Sequence, residues 1–356
     1  MHSVSIRLLQ VGDFSLDYYD ESLFKELKKN NKVDSDKFQW SHYFSNYHYK
    51  NIFSKIYYTI ENRYKCGPLV RKINRDLLQQ VKNENYDIIF LWRAVHLYPS
   101  TIRQLKKHAV VIGYNNDQTF SLHHPWWLFF LLKRSIPFYD HYFVYRASDI
   151  SSIENLGCTS SVFMPTFDPS RVYPIENANK QYDVAFIGHY ENDGRDQLLL
   201  SFIKAGFKVR LNGQRWQKSP CYAELKGLLG KEIEPAYEGY NEALNSAKVC
   251  LSFLSKLNND IYTRRTLEIP ASKTVMLAEY TDDQAKMFKP DVEAVYFSNH
   301  QQAIDKLRWL CGEPLRIEKI AMAGYNRVFA GPYQLSHRVD EVINKAQEKI
   351  AAKYEK

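Results

Sequence analysis

Residues 260–279 read DIYTRRTLEIPASKTVMLAE, and this stretch decides the fold. An apolar strand, Thr274 to Ala278, closes it, and the residues from Thr263 to Ser272 have the composition of a short helix leading into that strand. In such a helix Arg264 and Glu268 stand four apart and share a face. Two adjacent arginines, Arg264 and Arg265, at a helix start suit a diphosphate, because exposed backbone N–H groups and guanidinium forks both favour anions. A carboxylate one turn further in, Glu268, can accept hydrogen bonds from sugar hydroxyls. A second acid, Asp260, stands eight positions before Glu268. Together these are the groups that a nucleotide-linked sugar requires.

Upstream of this stretch the second half of the chain alternates strands and helices. Asp183 to Ile187 is an apolar strand stopped by Gly188-His189, and Arg195 to Ala205 is a helix ended by Gly206. Lys208 to Leu211 is a strand stopped by Asn212-Gly213, Tyr240 to Ala247 a helix, and Val249 to Phe253 a strand. Helices from Asp282, Gln301 and Leu315 follow, and Ser336 to Lys356 forms a long charged last helix. The first half repeats the pattern with strands at Ser5–Val11, Asp87–Trp92, Ala109–Gly113, Tyr142–Tyr145 and Val162–Met164. Continuous apolar strands separated by helices predict parallel sheets covered on both faces. The order predicts two doubly wound domains in tandem with a nucleotide site.

The stretch at 260–279 resembles the donor-binding motif of GT-B glycosyltransferases, in which two glutamates are separated by seven residues. Here the pair is Asp260 and Glu268, with Asp in the first place. It is most similar to the CgeB-like members of the glycosyltransferase group 1-like family, whose pattern runs R-x-F-E-x-P-A-C-G, an apolar strand and T-E-Y. This chain has Arg265-Thr-Leu-Glu268-Ile-Pro270-Ala271-Ser-Lys273 and then Ala278-Glu279-Tyr280, departing at Lys273, where the family usually has glycine. Tyr139 to Val144, Asn116-Asp117, Asp183 to Gly188 followed by Arg195, and Tyr333 to Arg338 resemble further family segments in the family's order. The resemblance implies an α/β GT-B fold, two Rossmann-like doubly wound domains facing a cleft. The expected boundaries are 1–172 for an acceptor-side domain, 173–335 for a nucleotide-sugar-binding domain, and 336–356 for a C-terminal helix free to cross back to the first. A sugar-retaining mechanism is implied by resemblance alone.

Composition is ordinary for a globular protein, with 45% hydrophobic and 25% charged residues in 356. Such a length accommodates two full cores. The apolar start at Ser5–Val11 is too short for a signal peptide, and no run approaches the ~20 apolar residues of a membrane span. Five dispersed cysteines without a C-x-x-C pair point to a reduced, cytoplasmic protein without structural zinc. The net charge of +8 is concentrated: Leu23 to Lys82 holds thirteen Lys/Arg against five Asp/Glu. Phe38 to Tyr64 within it, FQWSHYFSNYHYKNIFSKIYYTIENRY, interleaves bases with aromatics. That mixture suits nucleic acid, a phosphorylated glycolipid or an anionic membrane surface, or else a helical pair with solvated lysines. Pro125 to Leu132, PWWLFFLL, followed by Lys133-Arg134, reads either as an interfacial helix or as one packed under the first sheet.

Ligands of open parallel sheets bind beyond the carboxyl ends of the strands. That rule, with the resemblance, assigns donor binding to Gly188, His189, Gly213, Lys256, Asp260, Arg264, Arg265 and Glu268. Arg265 is the expected diphosphate ligand, and Glu268 the ligand of ribose or sugar hydroxyls. On the acceptor side Asp13, Asp117, His123 and His124 are the base candidates. No metal and no cofactor are expected, since arginines and a helix start can neutralise the leaving group. The expected partners are a nucleotide-sugar, UDP- or GDP-linked, and an acidic or lipid-linked glycan or a protein, with peripheral contact at the inner face of the membrane. DNA is the alternative acceptor, as for a phage-type DNA-modifying glycosyltransferase. A non-catalytic GT-B protein that binds nucleic acid or membrane is the remaining alternative.

Overall fold

The computed structural model describes residues 6–16, 18–45 and 51–354. It divides into two units, Met1–Met164 with Leu335–Lys356, and Pro165–Gln334. The first unit is built on a six-stranded parallel sheet. Its strands are β1 (Ile6–Gly12), β2 (Val33–Gln39), β3 (Ile88–Trp92), β4 (Val110–Asn115), β5 (His141–Val144) and β6 (Ser160–Val162), in the order β2-β1-β3-β4-β5-β6. Every pairing is parallel. The central strands are continuous apolar runs because helices cover both faces; Ile88 to Leu91 are all buried. Leu9, Ile73, Leu77, Ile89, Val111 and Leu132 lie in the core on one side.

The second unit holds β7 (Tyr182–Ile187), β8 (Val209–Asn212), β9 (Ala247–Ser252), β10 (Val275–Glu279) and β11 (Val295–Phe297), all parallel, in the order β11-β10-β9-β7-β8. Val184, Phe186, Leu198, Phe202, Val249 and Leu277 centre its core. Both units therefore share one winding. The first strand has the second on one side and the third on the other, so the chain reverses direction across the sheet there. Loops after the first and third strands diverge at that point and leave a crevice, which is where open α/β sheets bind ligands. In the first unit these loops follow Gly12 and Trp92; in the second they follow Ile187 and Ser252.

The last helix, Leu335–Tyr354, belongs to the first unit. Lys353 secures it there, with Nζ 3.2 Å from the Ala109 carbonyl and 3.4 Å from Asp140 Oδ2. Several elements differ from the sequence reading, among them the short helix His42–Ser45. β2, VDSDKFQ, and β11, VYF, were not expected. The helix Tyr222–Leu229 was not expected either, and β6 ends at Val162, where a strand over 162–164 was expected. The helix Trp126–Ser135 packs one face into the first unit and leaves its first residue outside. Phe129, Leu131 and Leu132 are buried, while Trp126 is exposed.

Candidate active site

The helix Arg265–Ala271 places Glu268 deep in the second unit, with 3% of its surface exposed. Three side chains surround it. Arg264 Nη2 lies 2.9 Å from Glu268 Oε1, one turn earlier as the i,i+4 spacing requires. Arg171 Nη1 is 3.7 Å from the same oxygen. The Tyr240 hydroxyl donates to Oε2 at 2.7 Å. Burial, and then the neighbouring Glu268 charge, pushes the Tyr240 phenol well above its ordinary pKa, so it remains a donor. Arg171 also lies over the Tyr240 ring at 5.0 Å.

Arg265 is placed differently. Its Nη2 donates to the Phe253 carbonyl at 3.3 Å and its guanidinium lies 5.5 Å from the Phe186 ring centroid. Its buried Nε has no hydrogen-bond partner, and among the described residues no carboxylate stands within ion-pair distance of it. It is directed at the turn after β7, where a methyl group added at Gly188 would sit 3.3 Å from Arg265 Nη1. An added Cβ at Gly213 would stand 1.8 Å from the Gly188 carbonyl oxygen, and Gly213 has φ +157°. Both glycines are thus required by packing: Gly213 lets the loops after β7 and β8 touch, and a Cβ at Gly188 would stand 2.6 Å from the Phe186 ring. Trp216 Nε1 closes the contact by donating to the Gly188 carbonyl at 3.0 Å.

The turn beyond Gly188 carries a polar network. His189 Nε2 is 2.9 Å from Glu191 Oε1, and Ser255 Oγ donates to Glu191 Oε2 at 3.0 Å. Glu191 thereby ties the loop after β7 to the loop after β9, across the winding reversal. Burial raises the Glu191 carboxyl, but the His189 hydrogen bond and the Arg195 charge more than offset this and hold it below its usual pKa. Arg195 is itself buried and clasped, with Nε 2.8 Å from Asp193 Oδ1 and Nη1 2.8 Å from the His189 carbonyl. Lys256 is exposed and bonds Glu279 Oε1 at 3.2 Å. Asp260 is half-buried in the following turn, where its N–H donates to the Ser255 carbonyl at 3.0 Å.

Gly188, His189, Gly213 and Arg265 are therefore assembled at the carboxyl ends of the strands. Arg264 and Glu268 pair one turn deeper. Arg171 and Tyr240 carry no signal in the sequence, since each lies far along the chain from Glu268; Glu191 stands two residues after His189 but 64 from Ser255, which opens the loop that the strand-end rule selects. Lys273 occupies the left-handed region, φ +55°, with its N–H donating to the Pro270 carbonyl at 2.9 Å. This is a conformation that glycine adopts without strain.

In the first unit Asp13 follows β1. Its Oδ1 is buried without a hydrogen-bond partner. Behind it, Asp20 Oδ2 accepts the Phe14 N–H at 2.8 Å, and a Cβ at Gly12 would meet that same oxygen at 2.3 Å. Burial, reinforced by the Asp13 charge, raises the Asp20 carboxyl to about 6. Asp117 follows β4 and has Arg93 Nε 3.0 Å from its Oδ2. His124 packs edge-on against Phe129, ring centroids 5.3 Å apart, and His123 is exposed. Near Arg93 lies a buried pair that the loop rule only half reaches. Lys65 Nζ stands 3.0 Å from His96 Nε2 and 3.2 Å from Asn62 Oδ1. Burial, then the Arg93 charge, lowers the Lys65 ammonium to about 8, and burial with Lys65 and Arg93 keeps His96 neutral.

Comparison with known proteins bears on the fold that carries these residues. The family profile described as "Glycosyl transferase-like" matches residues 195–344. No curated protein matches the sequence. Among solved structures, a sucrose-phosphate synthase from Thermosynechococcus elongatus superposes with a TM-score of 0.66 at 11% identity, covering 98% of this chain and 100% of that one. Anabaena HepE, solved with UDP and glucose, gives a TM-score of 0.67 at 8% identity over 96% and 99% of the two chains. An α,α-trehalose 6-phosphate synthase from Burkholderia multivorans gives 0.62 at 12% identity over 98% and 99%. Residues 195–344 thus match a glycosyl transferase-like profile, and the chain as a whole has the GT-B fold of these structures.

Proposed function

We propose that this protein is a glycosyltransferase that moves a sugar from a nucleoside diphosphate donor held by the second unit to an acceptor held by the first. The observation that carries the reading is Arg265. It is a guanidinium without a carboxylate partner, directed at a glycine turn beside the winding reversal of a doubly wound sheet. HepE, of the same fold, was solved with UDP and glucose. In this reading Arg265 binds the diphosphate and stabilises charge on the leaving group without a metal. His189, Ser255 and Lys256 line the donor, and Asp260 lies beside it. Glu268 contacts sugar hydroxyls and holds Arg264 in place.

Asp13, with its unpartnered oxygen, is the base that would take the acceptor proton, ahead of Asp117, which Arg93 engages, and His124, which packs on Phe129. The acceptor class that fits the basic first unit is an acidic or lipid-linked glycan at a membrane surface; duplex DNA is the alternative for the same charge. The site for the donor is tested by thermal shift against nucleotides and nucleotide-sugars. UDP- or GDP-sugars should stabilise the wild type by mass action and fail to stabilise Arg265→Ala. Equal shifts in both proteins would remove Arg265 from the site.

A further inference from the structure

The helix Ile52–Tyr64 is built inside out. Asn51 caps it, its side-chain oxygen accepting the Ser54 N–H at 2.9 Å, and Lys65 ends it at φ +56°. Its single buried residue is an acid, Glu61, whose Oε1 accepts the Val70 N–H at 2.9 Å. Its apolar residues face solvent: Ile52, Phe53, Ile56, Tyr57, Ile60 and Tyr64 are each between 40% and 77% exposed. At 3.6 residues per turn these six form one continuous stripe. Ser54, Tyr58 and Glu61 lie on the other side, against the protein. Trp126, 71% exposed, extends the stripe, its ring 6.2 Å from that of Tyr64. Arg63 lies over the Trp127 ring at 5.2 Å, fastening the two helices.

Bases frame this patch. Lys55 and Arg63 are exposed on the helix itself, and Arg71, Lys72 and Arg75 on the helix that follows, Pro68–Glu84, where Asp76 pairs with the last two. We propose that the stripe docks this protein on an anionic bilayer. The helix would lie in the plane of the interface, with Phe53, Ile56 and Ile60 at the acyl boundary, Tyr57, Tyr64 and Trp126 at headgroup depth, and the bases on lipid phosphates. A helix of this length cannot cross a bilayer, and among the described residues no helix is long and apolar enough to do so. Two alternatives fit less well. A two-fold pairing of copies would bring the basic frame against itself. A nucleic-acid duplex would meet the charge but leave the apolar stripe in water. The inference goes beyond the donor reading and does not depend on it.

The test is cosedimentation of the full chain with phosphatidylcholine vesicles, with and without phosphatidylglycerol, beside light scattering without lipid. The comparison variants are Ile56→Asp with Ile60→Asp, and Lys55→Gln with Arg63→Gln. All four positions are exposed, so melting curves should match the wild type. The wild type should bind phosphatidylglycerol vesicles and bind neutral ones on the order of tenfold more weakly. The Asp variant should lose vesicle binding and the Gln variant should weaken it, while both keep the thermal shift with nucleotide. Three results would overturn the proposal: no vesicle binding by the wild type; a lipid-free dimer that the Asp variant dissolves, without vesicle binding; or binding to duplex DNA that persists in the Asp variant, again without vesicle binding.

Discussion

Arg264 and Glu268 close on each other at 2.9 Å, whereas Arg265, the very next residue, meets no carboxylate among the described residues. Neighbouring arginines thus differ: one neutralises a buried acid, and the other keeps an unpartnered Nε. Glu268→Ala should therefore destabilise the second unit as well as impair transfer. It removes the carboxylate that Arg264 and Arg171 share and should cost about 2–3 kcal/mol, discounted from a fully buried pair because both arginines are partly exposed. Tyr240→Phe, which removes one bond to the same carboxylate, should cost about 1–2 kcal/mol. Urea denaturation measures both; a wild-type midpoint for Glu268→Ala would show that the triad contributes nothing.

Arg265→Ala should leave the melting temperature nearly unchanged and weaken donor binding by about 1.5–3 kcal/mol, the range for a charge-assisted bond. Arg265→Lys should recover only part, since a point charge does not reproduce the guanidinium fork. Calorimetry with a nucleotide-sugar reads both. Turnover should also persist in EDTA, because the leaving-group charge is met by arginine; activity restored only by magnesium or manganese would contradict this assignment.

Asp13→Asn keeps the shape of the loop after β1 and removes the proposed base. The expected result is a fall in kcat on the order of 10²–10⁴-fold with donor affinity unchanged. A variant with undiminished kcat would point instead to a mechanism in which the leaving phosphate accepts the proton.

Asp20 gives the first unit a pH dependence whose sign is fixed. Its folded-state pKa, about 6, is raised above the value of an unfolded chain. Its contribution to stability is therefore complete at low pH and lost as pH rises from about 4 through 6. Roughly two pH units correspond to about 3 kcal/mol. Asp20→Asn, which can still accept the Phe14 N–H, should flatten this part of the stability profile. An unchanged slope in the variant would assign it to another group.

Lys273→Gly should stabilise the second unit by about 0.5–1 kcal/mol, as relief of the left-handed backbone exceeds the added entropy of the unfolded chain. Thermal melting detects a shift of this size, and a loss of stability would mean that the Lys273 side chain makes a compensating contact.

Much of this architecture was legible because central parallel strands are buried on both faces and must be apolar throughout. The runs DIIFLW, AVVIG and DVAFI announce themselves for that reason. β2 was not legible because it is an edge strand; Asp34 and Lys37 are exposed along it, and VDSDKFQ reads as a polar turn. β11 pairs through three residues only. At the site, the Arg264–Glu268 contact followed from helical spacing, and the turn at Gly188 from a glycine after a strand. Tyr240, which completes the environment of Glu268, stands 28 positions away, and only the fold brings it there. Glu61 shows the converse. Its helix has a mixed sequence that suits a solvated surface element, yet the acid is inside and the isoleucines are outside, because Val70 supplies a backbone donor that only the acid can use.

The last helix returns the chain to the unit with which it began. In synthesis from the N-terminus, residues 165–334 are complete as a continuous stretch while the first unit still lacks its final segment. The second unit is thus an inserted domain whose sequence is complete before that of the first. The first must wait, its surfaces over Ala109 and Asp140 uncovered, until Lys353 emerges. A premature stop within that helix would spare the second unit and leave the first unfinished, an order of assembly set by chain connectivity rather than by intrinsic stability.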